Sequence, residues 1–329
     1  MFEHTLVRHV AIALLAAVAL LALTVLLSAF DDLQIATMAY YFVAVAGLTV
    51  LTGGNGQISL GHGALMAVGA YAAAKALGES GTGLPLAAAL AISAVAGAVA
   101  GVIAGAAAAR LRGPYLAGAT LALAVGLPAI AQRFPHYLGA TNGLTTAPPT
   151  PPLSLGETFP LERWQAWICC ACALLVYILL ANLMRSGVGR RFRAVRDDEV
   201  AAALAGLHVA RVQVLAFVVS SACAGLAGGL FVVVTSLAAP GAFTLTLSVA
   251  LLTGVILGGL GSLAGAVWGA AALVLVPNWA DDASKALSLP ANVQANLALA
   301  VYGAVLIGVM LAAPRGLQGL IRQSLRRVS

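Results

Sequence analysis

The sequence predicts an all-α integral membrane protein, a polytopic bundle of about ten transmembrane helices with an inverted repeat. Three observations predict it. Hydrophobic residues make up 61% of the chain and charged residues only 9%, where soluble domains are about 25% charged. Apolar runs near the length that crosses a bilayer core recur along the chain, which favours helices over a barrel. The cations gather in polar segments between those runs, where they orient spans and do not signal nucleic-acid binding.

Taken in order, the first span is expected at 10–30. Arg8 and His9 before it resemble the start of a signal peptide, but the apolar run is long for one and LLSAF lacks a small-x-small cleavage pattern. Further spans are expected at 33–51, 58–77, 84–109, 114–131, 164–184 and 212–234. Two short, Gly-rich spans follow at 246–260 and 263–277, where a re-entrant or broken helix is an alternative, and a last at 293–313. The segment 132–163 contains PPTPP (Pro148–Pro152), which cannot cross lipid as regular helix, so it is an external loop or a structured cap. The chain then divides into a first helix (1–32), a first half (33–131), the external segment (132–163), a connecting helix (164–184), a polar loop (185–211), a second half (212–313) and a basic tail (314–329).

With both termini cytoplasmic, all of the 17 Lys and Arg residues except Lys75, Arg133, Arg163 and Lys285 fall inside. Asp31, Asp32, Glu79, Glu157, Glu162, Asp281 and Asp282 fall outside. The Gly-rich stretches 51–72 and 257–274 echo each other weakly and enter from opposite sides, the plan of inverted-repeat transporters. Small-xxx-small faces, Gly97–Gly101–Gly105 and Gly225–Gly229, fit close helix packing in lipid.

Catalytic chemistry finds little support. No Asp or Glu lies well inside a span, no phosphate-binding loop is present, and Lys75 and Lys285 are the only lysines. Cys169, Cys170, Cys172 and Cys223 fall in spans as packing residues, and His62 has no acid or second His at ligand spacing, so no metal site is expected. The intramembrane polar residues are Asn55, Gln57, Ser59 and His62, in TGGNGQISLGHGA. The glycines there allow a broken helix start whose free N–H groups suit an anionic group, although a plain helix cap with a bonded His explains the same residues.

The densest charge lies at 189–213, with five arginines and the acids Asp197, Asp198 and Glu199. Val195–Leu207 is expected to form one short helix, acidic in its first turn, smooth along Ala201–Ala203 and Ala205, and stopped by Gly206.

Four motifs give the chain a family resemblance. They are GLTVLTGGNGQISLGHGALMAVGAYAAA (47–74), LRGPYLAGATLAL (111–123), FRAVRDDEVAAALAGLHVARVQVLAFVVSSACAGLAGGLF (192–231) and LLTGVILGGLGSLAGAVWGAAA (251–272). In that order they resemble the branched-chain amino acid ABC-importer permeases, in particular the larger of the two paired subunits. The resemblance implies a pore-forming subunit in the bacterial inner membrane that binds no cofactor itself. Its expected partners are membrane lipid, a homologous second permease, two cytoplasmic ATPases that use ATP, and an extracytoplasmic substrate-binding protein. It implies ATPase docking by Arg191, Arg193, Arg196, Asp197, Asp198, Glu199, Ala202 and Gly206. It also points to Asn55, Gln57, Ser59, His62, Gly258, Gly259 and Gly261 along the translocation pathway. The chain departs from the family pattern at Leu121–Gly126, which lacks an acid, and at LGATNGL (138–144), where T-G-G-x-x-G-[IL] is usual. Importers of urea, short amides or a sugar, and a stand-alone transporter or channel, remain alternatives.

Overall fold

The computed structural model describes residues 26–79, 83–111, 114–156 and 158–286, with scattered positions at 15–24 and 300–323. About half of the expected span 10–30 and most of 293–313 lie outside the described residues. Within them the protein is an all-α membrane bundle. Seven helical stretches are long and apolar enough to cross a membrane: Ala29–Gly54, Leu86–Ala108, Tyr115–Arg133, Leu161–Arg185, Val209–Thr235, Pro240–Gly258 and Leu263–Ala286.

Helix α1 (Ala29–Thr49) starts at a capping box in which Ser28 and Asp31 satisfy each other's amides. It runs into a π-helical turn, Val50–Gly54. Helix α2 (His62–Leu77) is only 16 residues long because it begins inside the bundle, so the span expected at 58–77 opens with non-helical chain. Helices α3 (Leu86–Ala108), α4 (Pro114–Arg133) and the short α5 (Pro135–Leu138) follow. After a two-residue strand β1 (Leu144–Thr145) come α6 (Leu161–Arg185), α7 (Gly187–Asp197), α8 (Glu199–Leu204) and α9 (Val209–Thr235). Strand β2 (Leu237–Ala238), α10 (Leu245–Gly258) and α11 (Leu263–Ala286) complete the order. The two short spans expected at 246–260 and 263–277 are two separate helices joined by the turn 259–262, and α11 extends well past the predicted residue 277.

Helices α1 and α9 form the centre, and α3 and α6 turn Ile92, Val99, Ile103, Leu175 and Leu179 outward, as lipid-facing helices do. The small-residue faces seen in the sequence are used. Gly97 and Gly101 of α3 lie against Ser221 of α9, and Gly225 lies against both Ser93 and Gly69, so that any side chain at these glycines would overlap a neighbouring helix. Such backbone approach supplies packing where lipid offers no hydrophobic drive.

The segment after α4 is not a free loop. β1 pairs antiparallel with β2, Leu144 opposite Ala238 and Thr145 opposite Leu237, and the Thr146 amide donates to the Ser236 carbonyl at 3.0 Å. This pins the segment after α4 to the junction between α9 and α10. At the same end of the bundle Arg163 of α6 pairs with the fully buried Asp32 of α1 at 3.3 Å.

Candidate functional site

The charged region folds as two helices and not as one. Asp198 adopts extended backbone (φ −160, ψ 110) and ends α7, and its Oδ1 then accepts from the amides of Val200 and Ala201 at 2.8 and 3.0 Å. The expected helix over Val195–Leu207 is thus corrected to Glu199–Leu204, with Asp198 as its cap: an acid three residues before the alanine run caps a new start better than it continues an old one. Gly206, at φ +86, follows that helix.

Helix α7 lies across the ends of two spans. Gly189, Phe192 and Val195 are buried at i, i+3 spacing, forming the inner face of an amphipathic helix. Two of its arginines hold C-terminal carbonyls, where a cation opposes the helix dipole favourably. Arg193 Nη1 donates to Met184 O at the end of α6, and Arg196 Nη1 donates to Gly53 O at the end of the π-turn, both at 2.8 Å. Arg191 is exposed. Asp197 is also exposed and accepts from Arg196 Nε and Nη2.

Helix α8 sits on the start of α9. Gln213 donates to Glu199 Oε1 at 2.8 Å, and Ala202 is turned inward. Its free side carries Val200 and Leu204, 69% and 86% exposed, between the exposed Ala201 and Ala203. The apolar surface offered outward is thus formed by Val200 and Leu204, which the alanine run in the sequence concealed, and not by Ala202.

The intramembrane polar residues cluster where α2 begins, all of them buried. Three neighbouring helices each send a hydroxyl to this irregular start. Thr120 of α4 accepts from the Leu60 amide at 3.0 Å, and Ser248 of α10 accepts from the Gly63 amide at 2.9 Å. Ser220 of α9 lies 3.1 Å from His62 Nε2 and gives its proton to Gly47 O at 2.8 Å. With that one proton committed, Nε2 carries the hydrogen and donates to Ser220. Thr120, Ser220 and Ser248 were not singled out from the sequence; a hydroxyl in an apolar span, the only signal they give, most often bonds its own helix. Asn55 Nδ2 reaches Phe192 O at 3.5 Å, Gln57 is buried, and Ser59 Oγ accepts from the Gly61 amide at 3.4 Å.

The two Gly-rich breaks touch. Gly53 packs backbone to backbone on Gly261, while Gly258 meets Gly265 across the α10–α11 turn. Gly259 and Gly261, at φ +109 and +81, make that turn possible. Gly316 packs on Gly259, and Gln318 accepts from Trp268 Nε1 at 3.1 Å, which brings this part of the C-terminal region to the α7 end of the bundle.

The profile of the family described as branched-chain amino acid transport system, permease component, matches residues 32–310. The chain belongs to that family. It is similar to the high-affinity branched-chain amino acid transport system permease protein LivM of Salmonella typhimurium strain LT2, 30% identical over 321 residues that cover 90% of this chain and 72% of the relative. It is also similar to LivM of Escherichia coli strain K12, 30% identical over 320 residues, 90% of this chain and 71% of the relative. No solved structure matches the chain. The matched range takes in both glycine breaks, α7, α8 and the polar start of α2, so the features built above lie within the permease family's shared region.

Proposed function

We propose that this permease forms the translocation pathway of an ATP-driven importer of branched-chain amino acids in the bacterial inner membrane, together with a homologous second permease. Two cytoplasmic ATPases supply the energy, an extracytoplasmic binding protein delivers the substrate, and this chain hydrolyses no ATP. Both termini and the α7–α8 elbow face the cytoplasm. One observation carries the reading beyond family membership: α8 holds Val200 and Leu204 out on a rigid, capped helix at an end of the bundle otherwise rich in arginine. An apolar knob in that position suits a cleft on a soluble partner and has no use against lipid or water. Among the described residues, the carboxylates of the long helices (Asp31, Asp32, Glu162, Asp281 and Asp282) all lie near helix ends, so a zwitterion with an aliphatic side chain would meet no trapping charge midway.

The test is co-purification of the tagged chain with its co-expressed partner subunits, followed by leucine uptake into proteoliposomes loaded with ATP. Wild type is expected to retain the ATPases and take up leucine only with ATP. Leu204→Glu is expected to lose the ATPases while remaining folded. Uptake by this chain alone, without ATP, would overturn the reading in favour of a stand-alone transporter.

A further inference from the structure

Arg196 joins parts of the chain that are distant in sequence. The carbonyl it holds, Gly53 O, is 143 residues away, in the last turn of the π-helical extension of α1. The amides that follow it, Gly56 and Gln57, turn back to Thr52 and Leu51, so the guanidinium takes a helix-terminal acceptor. The same guanidinium is gripped from its other edge by Asp197, the last residue of α7, one residue ahead of the Asp198 cap of α8, through Nε at 2.9 Å and Nη2 at 2.7 Å. Its aliphatic part lies on Gly56, at φ +79, where any side chain would strike Arg196 Cγ. On the far side of the π-turn, Gly53 lies on Gly261 with no side chain between them, and beyond Gly261 the backbones of α10 and α11 meet at Gly258–Gly265 and Gly254–Gly269.

We infer that Arg196 is the positioning residue through which displacement of α8 is delivered to the glycine breaks of both halves of the permease. This rests on the importer reading above and adds to it the route of the force. A shift of α8 moves Asp197; Asp197 carries the fork of Arg196; the fork pulls the Gly53 carbonyl; and Gly53 cannot move without displacing Gly261. Bare backbones in contact transmit such a shift because no side chain is present to absorb it by changing rotamer. Arg193, which holds only the neighbouring end of α6, has no comparable reach.

The test uses the complete reconstituted importer and reads the ratio of substrate taken up to ATP hydrolysed. Arg196→Ala is expected to lower that ratio at least tenfold. A cysteine introduced at Ile58, half exposed just beyond the break, is expected to change its reactivity toward a thiol reagent when nucleotide binds in the otherwise wild-type complex, and to stop responding in the Arg196→Ala background. If uptake and ATP hydrolysis fall together at constant ratio, Arg196 serves ATPase docking and the inference is overturned. An unchanged ratio overturns it too. Should Arg196→Ala fail to accumulate in the membrane, Asp197→Asn, a change at an exposed residue, is expected to lower the ratio about threefold by freeing the fork, and wild-type coupling in that variant overturns the inference. If the wild-type complex shows no ATP-dependent uptake, it is the importer reading that fails.

Discussion

Asp32, fully enclosed at the start of α1, is held by Arg163 of α6 at 3.3 Å, and the arginine keeps about a fifth of its side chain in solvent. The two partners are therefore not equivalent. Removing Arg163 leaves a carboxylate with no water to turn to, whereas neutralising Asp32 leaves a guanidinium that reaches solvent. Arg163→Ala is expected to destabilise the protein by about 3 kcal/mol, and Asp32→Asn by clearly less. Thermal unfolding in detergent, followed by Trp fluorescence, measures both; equal losses would count against the asymmetry.

The glycines divide into filled and open positions. Gly225→Val would drive a side chain into the backbone of α3 at Ser93 and Gly97, for an expected loss of about 3 kcal/mol. Gly118→Ala on α4 meets nothing within 4 Å and is expected to gain about 0.5 kcal/mol from helix propensity. The same unfolding assay separates them, and comparable losses at both sites would refute the packing of α3 on α9.

Ala140 sits at φ 50, a left-handed conformation that costs an alanine about 1 kcal/mol. It stands where the family pattern noted in the sequence has its second glycine, the residue type that adopts this conformation at least cost. Ala140→Gly is expected to raise stability by up to about 1 kcal/mol. Gly143→Ala, at φ 76 and hard against the Ala238 backbone, is expected to lower it by more than that. A gain from both substitutions, seen as a rise in Tm, would show that the turn is not constrained.

Neighbouring serines on α9 make a further contrast. Ser220 serves both His62 and Gly47, and Ser220→Ala leaves His62 Nε2 without its partner and takes one of two donors from the Gly47 carbonyl, for a loss of about 2 kcal/mol. The Ser221 hydroxyl, buried without a partner among the described residues, is expected to be replaced by alanine at little cost. Equal sensitivity of the two positions would argue against the assigned bonding of His62.

Much of this architecture could be read in the sequence because it depends on composition and period. Apolar length located the spans seen among the described residues, and Gly97–Gly101–Gly105 announced a close helix contact, though not its partner, because small residues at that spacing have one main use in lipid. The join at Asp198 was legible only in part. The same three acids suit the first turn of one long helix or the end of one and the cap of the next, and tertiary anchoring of Phe192 and Val195 decides between them. Contacts between remote segments, such as Arg196 with Gly53, leave no local trace, because a guanidinium five bonds from the backbone can choose any acceptor within its reach.

Helix α9 is held at both extremities. Near its first turn Gln213 grips α8 through Glu199, and just past its last, Leu237 and Ala238 carry the ladder to the segment after α4. The helix itself is 27 residues long and unbroken, and 15 of them are buried. A push applied to the segment after α4 and a pull applied to α8 therefore load opposite ends of one stiff rod, which ties the two faces of the bundle to each other.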